Sequence, residues 1–79
     1  EDLSVSYLDD NNLLINNVDA SLEEIDIDVF NAFGLSAFSS PVKVLRDESN
    51  KFKVDISTLS TGLYILKVSD FEYISFVKR

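Results

Sequence analysis

The sequence predicts an all-β fold, an immunoglobulin-like antiparallel β-sandwich of about seven short strands. Three observations carry that reading. Apolar residues recur at every second position in one segment after another, the period of a half-buried strand. The segments are short and separated by polar turns at spacings of about ten residues. No stretch sustains a helical period; Ser21-Leu22-Glu23-Glu24 starts like a capped helix but is too short to propagate.

The elements follow in order. Leu3, Val5 and Tyr7 alternate before Asp9-Asp10-Asn11-Asn12, a hairpin loop of residues that tolerate positive φ and bond their own backbone. Leu13 and Ile15 continue the pattern, and Asn16-Asn17 with Asp19-Ala20-Ser21 form a second connection. Ile25, Ile27 and Val29 alternate with Asp26, Asp28 and Phe30, the cleanest two-faced strand in the chain. Gly34 allows a turn, after which Leu35 to Phe38 form a candidate fourth strand. Pro41 marks a break or a sheet edge. Val42 to Leu45 is a shorter extended segment, Arg46 to Asn50 a charged turn, and Phe52 to Ile56 a strand. Ser60-Thr61-Gly62 turns the chain into Tyr64, Leu66 and Val68, with Lys67 facing the other way. Past Ser69-Asp70, Ile74 and Phe76 repeat the period up to Lys78 and Arg79.

A chain of 79 residues forms one small domain, residues 1–79, and buries only about 60–65% of its unfolded surface. An apolar fraction of 46% with six Phe and three Tyr is enough to fill one core. The chain does not begin with Met and reads as a processed or excised piece of a larger protein. It holds no apolar run near the ~20 residues of a membrane helix, so no membrane insertion is expected. With a net charge of −7 and no basic stripe, nucleic acid is not an expected partner. The charge is uneven. Nine of fourteen acids and none of seven bases lie in the first 42 residues, giving −9 there and −5 + 7 = +2 beyond. That distribution suits solubility and edge protection, and also a locally basic C-terminal hairpin offered to an anionic partner.

Catalysis is not expected. The absence of His and Cys removes every triad or dyad built on them. Asp26 and Asp28 stand about 7 Å apart on one strand face, a spacing that glycosidases use, but Ile25, Ile27 and Val29 claim the core side and leave both acids to water. Asp9-Asp10-Asn11-Asn12 reads first as a turn and secondarily as a weak Ca²⁺ site, without the ligand spacing of an EF-hand loop. With two glycines 28 positions apart, no phosphate-cradling loop is present. No cofactor is expected. Phe33, Phe38 and Phe71 fall at or near turns, where they either lie on the core rim or form an exposed docking patch.

Three segments carry a family likeness. Val29-Phe30-Asn31-Ala32-Phe33-Gly34 is similar to a hydrophobic–Tyr-Asn-x-x-Gly element, with Phe30 at the Tyr position. Asp55-Ile56-Ser57-Thr58-Leu59-Ser60-Thr61-Gly62-Leu63-Tyr64 matches Asp-(Val/Ile)-Ser-x-Leu-x-x-Gly-x-Tyr throughout. Phe76-Val77-Lys78-Arg79 matches a basic closing strand. In this order the set resembles the type A C-terminal sorting domain of cargo exported by the type IX secretion system of Bacteroidetes, over residues 25–79. Two departures stand out. Ser4 to Asp10 holds no proline where the family opens with Tyr-Pro-Asn-Pro, and Ile74-Ser75 replace lysines before the last aromatic.

The resemblance implies an immunoglobulin-like sandwich and a non-enzymatic address label. Its implied partners are the type IX translocon and the surface-attachment peptidase. The implied route runs through the periplasm to the cell surface or medium. Gly62, Tyr64, Phe76, Lys78 and Arg79 are the expected partner-binding residues, with Tyr73 to Arg79 an edge strand open to strand addition. The alternative is an immunoglobulin- or fibronectin-like structural or adhesive module, with glycan as one candidate ligand.

Overall fold

A computed structural model describes residues 3–38, 40–69 and 72–79. Among them seven strands form and no helix: β1 (Ser4–Asp9), β2 (Asn12–Asn16), β3 (Glu24–Asn31), β4 (Val42–Leu45), β5 (Phe52–Asp55), β6 (Gly62–Val68) and β7 (Glu72–Lys78). They make two antiparallel sheets, one ordered β1-β2-β5 and the other β4-β3-β6-β7. Each strand's apolar parity points to the space between the sheets. Leu13, Ile15, Phe52, Val54 and Ile56 come from one side and Ile25, Ile27, Val29, Tyr64, Leu66, Val68 and Phe76 from the other, all buried in one cluster. Burial of a Leu-, Ile- or Phe-sized side chain is worth about 1.5–3 kcal/mol, so this shared layer holds the sheets face to face. Among the described residues no helix is long and apolar enough to cross a membrane.

The turns are built from Asx chemistry, as the scarcity of Gly and Pro requires. At the β1–β2 hairpin Asp9 pairs with Asn12, and the register shifts between Tyr7 and Asp9. Asp10 and Asn11 keep negative φ, so this two-residue loop does without the primed geometry expected of it. The bulge at Leu8 takes up the difference in twist. The stretch that resembled a helix start is a turn in which Leu22 N–H donates to the Asp19 carbonyl at 3.0 Å. Ser21 N–H and hydroxyl donate to Asp19 Oδ1 at 2.9 and 2.8 Å.

Leu35 to Phe38 is not a strand. The chain doubles back after Gly34 and touches β3 through one isolated bridge, Phe30 to Ser36, with Ala37 N–H donating to the Val29 carbonyl at 2.6 Å. The β3 edge is divided between this short return and β4, which pairs with Glu24 to Ile27. Neither neighbour has room to run the full eight residues of β3.

Arg46 staples two connections together. Its Nε donates to the Leu22 carbonyl at 2.7 Å, Nη2 to the Asp19 carbonyl at 2.8 Å and Nη1 to the Asn50 carbonyl at 3.2 Å. Its guanidinium lies 4.4 Å from the centroid of the Phe52 ring. A planar fork of donors suits three divergent carbonyls in a way an ammonium does not.

Candidate functional site

The segment Asp55 to Tyr64 folds into a corner in which nearly every motif residue has a structural task. Ser57, through its hydroxyl and its N–H, holds the Asp55 carboxyl below its ordinary value; the N–H bond to Oδ1 is 2.8 Å. Leu59 is buried and its N–H donates to the Ile56 carbonyl at 3.0 Å. Gly62 takes φ +154°, while an added Cβ would meet only Tyr64 Cε2 at 3.9 Å. The requirement for glycine here is torsional, not spatial. Tyr64 Oη donates to the Ser60 carbonyl at 2.7 Å. A strand tyrosine that bonds the backbone a few residues upstream is the tyrosine corner of immunoglobulin-like sandwiches. The ring is buried and stacks on Phe76, centroids 5.7 Å apart and planes 21° apart.

The Asn31–Gly34 element is also a turn. Asn31 Oδ1 accepts from Phe33 N–H at 2.9 Å and Leu35 N–H at 3.1 Å. Gly34 sits at φ +82° and donates to the Asn31 carbonyl at 2.9 Å. Both motif segments are therefore folding devices at the same end of β3 and β6, where Asn31 pairs with Tyr64.

The five expected partner-binding residues come together. Gly62 pairs with Lys78 and Tyr64 with Phe76 across the β6–β7 hairpin, and Arg79 follows. Tyr64, Phe76 and Lys78 are all buried. Lys78 is so although it stands next to the last residue of the sequence. It shares the core parity of Phe76, lays its methylenes along the sandwich rim and donates from Nζ to the Arg79 carbonyl at 2.9 Å. Arg79 is exposed, and its guanidinium stands 4.8 Å from the centroid of the Tyr7 ring.

β7 is an edge strand, bonded only to β6. Val77 N–H donates away from β6, to Tyr7 Oη at 2.9 Å. Antiparallel alternation therefore aims the N–H and C=O groups of Tyr73 and Ser75 outward as well. Native sheets blunt such edges with short strands, bulges, proline or charge. Three edges here do so. β1 carries the bulge at Leu8. β4 has four residues, follows Pro41 and carries Lys43, which is paired with Glu24 at 3.2 Å. β5 has four residues, with Lys53 exposed. β7 differs, running seven residues in unbroken register with β6. The only described charges on that strand and at its end are Glu72, Lys78 and Arg79.

Beside this edge lies a feature the sequence reading missed. Leu63 and Ile65 point away from the core and, by register, share a face with Phe30, Tyr73 and Val77. Tyr73 is 68% exposed, Leu63 54% and Val77 49%. The signal was present in the unbroken run Leu63-Tyr64-Ile65-Leu66, which supplies apolar groups to both faces of one strand.

The remaining candidates resolve differently. Asp9 Oδ1 accepts from Asn11 N–H at 2.8 Å and from Asn12 Nδ2 at 3.0 Å. These bonds, the Asn11 N–H foremost, hold its carboxyl below the usual value and commit it to the turn. No cluster of acids placed to hold a metal ion occurs among the described residues. Asp26 is exposed as expected, but Asp28 is half-buried, with Oδ1 accepting from Val29 N–H at 2.8 Å and Ser36 Oγ at 2.9 Å. Phe33 is 88% exposed at its turn, Phe38 packs against the core instead, and Phe71 lies outside the described residues.

The sequence matches the secretion system C-terminal sorting domain over residues 10–79. The chain belongs to that family. The match extends the likeness upstream from Ile25 into the β1–β2 turn, and β1 stands outside it. Comparison with curated proteins and with solved structures finds no match in either. Membership makes the chain a type IX sorting signal, implies interaction with that secretion machinery, and implies export to the cell surface or the extracellular space. The family is one of sorting signals, not of enzymes.

Proposed function

We propose that this chain is the removable address label of a larger secreted protein, and that the outer-membrane translocon reads it as a folded body at the β7 edge. The carrier reaches the periplasm on a separate N-terminal signal. The translocon then recognises the sandwich by adding a strand to β7, and a surface peptidase cleaves upstream of or near Glu1 and transfers the cargo to a lipopolysaccharide anchor. The domain itself does no bond chemistry. Gly62, Tyr64 and Phe76 serve by holding β6 and β7 in register, Lys78 by closing the rim, and Arg79 by offering an exposed cation to the incoming strand.

The observation that carries this reading is that β7 is the least blunted of the four sheet edges among the described residues, with one outward N–H, that of Val77, held by Tyr7 Oη. A seven-residue strand with outward main-chain groups at Tyr73 and Ser75 is a template for pairing. Ser75→Pro tests it. The Ser75 N–H faces away from β6, so proline there removes no ladder bond and is tolerated as in natural edge strands, yet it blocks an added strand. In a type IX-competent host, a fluorescent reporter carrying an export signal and residues 1–79 is expected at the surface or in the medium. The Ser75→Pro fusion is expected to stay in the periplasm while melting as a folded domain. Unchanged delivery of Ser75→Pro would remove the edge from the mechanism.

A further inference from the structure

We propose that the docking surface continues from the β7 edge onto the outer face of β6 and β3, and that its occupant is a single partner presenting both a strand and an apolar wall. This rests on the edge reading above and adds the chemistry of the partner. Phe30, Leu63, Ile65, Tyr73 and Val77 share one side of the sheet through the pairs Phe30–Ile65, Leu63–Val77 and Lys67–Tyr73. Leu63, Ile65, Tyr73 and Val77 are all large apolar side chains that the fold leaves exposed. Contiguous exposed apolar area of this kind on a small domain marks an interaction site. The opposite sheet presents Ser4, Ser6, Asn12, Asn16, Lys53 and Asp55 at the equivalent outward positions, with Leu14 the one apolar residue among these paired positions and half-buried. The apolar face is therefore not a requirement of the sandwich.

Geometry and charge select the occupant. A strand added to β7 carries every second side chain onto the same face as Tyr73 and Val77. Those side chains extend the patch sideways, and apolar residues fit there. Glu72 opens the edge and Arg79 ends it, so the complementary strand places a cation beside Glu72 and a carboxylate beside Arg79, where it replaces the Tyr7 ring as the guanidinium's neighbour. A second copy of this chain pairing β7 to β7 would satisfy the backbone but only lengthen the sheet, leaving Phe30, Leu63 and Ile65 in water. A membrane surface offers no strand to the edge, and the neighbouring Glu24, Asp26 and Asp28 repel anionic headgroups. A partner that wraps from edge to face is what covers both.

The test uses the reporter fusion with three variants. Leu63→Thr with Ile65→Thr keeps β-branched strand formers while removing the apolar surface, Leu8→Thr with Leu14→Thr makes the matched change on the other sheet, and Ser75→Pro blocks the edge. Delivery is expected to fall at least tenfold for the first variant, to hold within twofold for the second and to be lost for the third, with circular dichroism melts verifying the fold of each. Normal delivery of the Leu63–Ile65 variant alongside loss for Ser75→Pro would overturn the face and leave the edge standing. Normal delivery of both would bring down the edge reading itself. Sedimentation of the unaltered fusion as a dimer that Ser75→Pro dissolves, or its flotation with phosphatidylglycerol vesicles lost on Leu63→Thr with Ile65→Thr, would give the surface to a second copy or to lipid and overturn the proposal.

Discussion

The two sheets share one core and differ in what they show to the outside. Their inner faces are interchangeable in character: alternating Leu, Ile, Val and Phe, all buried. Outward, the three-stranded sheet is mostly hydroxyl, amide and charge around a half-buried Leu14, with Asn16 Nδ2 donating to Ser6 Oγ at 2.8 Å. The four-stranded sheet divides in two. Its β4–β3 half is mainly charged, with Glu24, Asp26, Asp28 and Lys43 beside Leu45 and Phe30, and its β6–β7 half is mainly apolar, with Leu63, Ile65, Tyr73 and Val77 beside Lys67 and Ser75. Folding demands explain the inner faces and the polar outer face. They do not explain exposed apolar residues beside a lightly guarded edge, and that surplus is what motivates the proposed docking surface.

The largest expected effects test whether the inner faces are in fact equivalent. Phe52→Ala on one side is expected to cost about 3–5 kcal/mol and Leu66→Ala on the other about 2–5 kcal/mol, a large share of the roughly 5–15 kcal/mol that stabilises such domains. Urea unfolding midpoints measure both. A Leu66→Ala loss below about 1 kcal/mol would show that the four-stranded sheet is not held by this core.

A smaller effect is expected where the two sheets are stapled. Arg46→Ala removes three hydrogen bonds from a charged donor and the stacking on Phe52, for a loss of about 1.5–3 kcal/mol. Arg46→Lys is expected to recover less than half of it, because a compact ammonium cannot reach Asp19, Leu22 and Asn50 together. Full rescue by lysine would make the contact a matter of charge alone.

Acid gives the smallest and most one-sided change. Asp9, Asp19 and Asp55 are held below their ordinary value by turn hydrogen bonds. A depressed carboxyl contributes stability that is complete above its unfolded pKa and is lost as pH falls through the folded one. Thermal midpoints should thus decline between about pH 5 and pH 2, and Asp19→Asn should flatten part of that slope. Lys43 is raised, by its hydrogen bond to Glu24 first, so its own part lasts through neutral pH and fades only in strong alkali. Asp9 and Asp55 end strands of the polar sheet and Asp19 lies in the connection leaving it, so the apolar half of the other sheet should be indifferent. A midpoint that does not move in acid would mean these turns contribute little.

Much of the fold was legible because period-two alternation reports burial directly: six strands fall where Val5, Leu13, Ile27, Val54, Leu66 and Phe76 place them, and β4 where Val42 to Leu45 does. Leu35 to Phe38 misled because four residues are too few for their pattern to tell a ladder from a single bridge. The tyrosine corner was half legible. Gly62 and Tyr64 stood out, but the Tyr64–Ser60 bond depends on three-dimensional closure. Arg46 was unreadable, since its acceptors at Asp19 and Leu22 are more than twenty positions away. Lys78 and the outer patch were readable in principle. Phe76 sets the parity that buries Lys78, and Leu63 and Ile65 sit opposite Tyr64 and Leu66, yet attention to the core face alone left the other uncounted.

The hydroxyl of Tyr7 on Val77 has a mechanical consequence. Ser4 pairs with Asn16 at the open end of the β1–β2 hairpin, so tension applied to the front of the chain loads those bonds one after another, like a zipper and not like a lap joint. Strand β1 is then the first part to peel, and Tyr7 leaves with it. A domain hauled by whatever precedes it uncovers its own final ribbon.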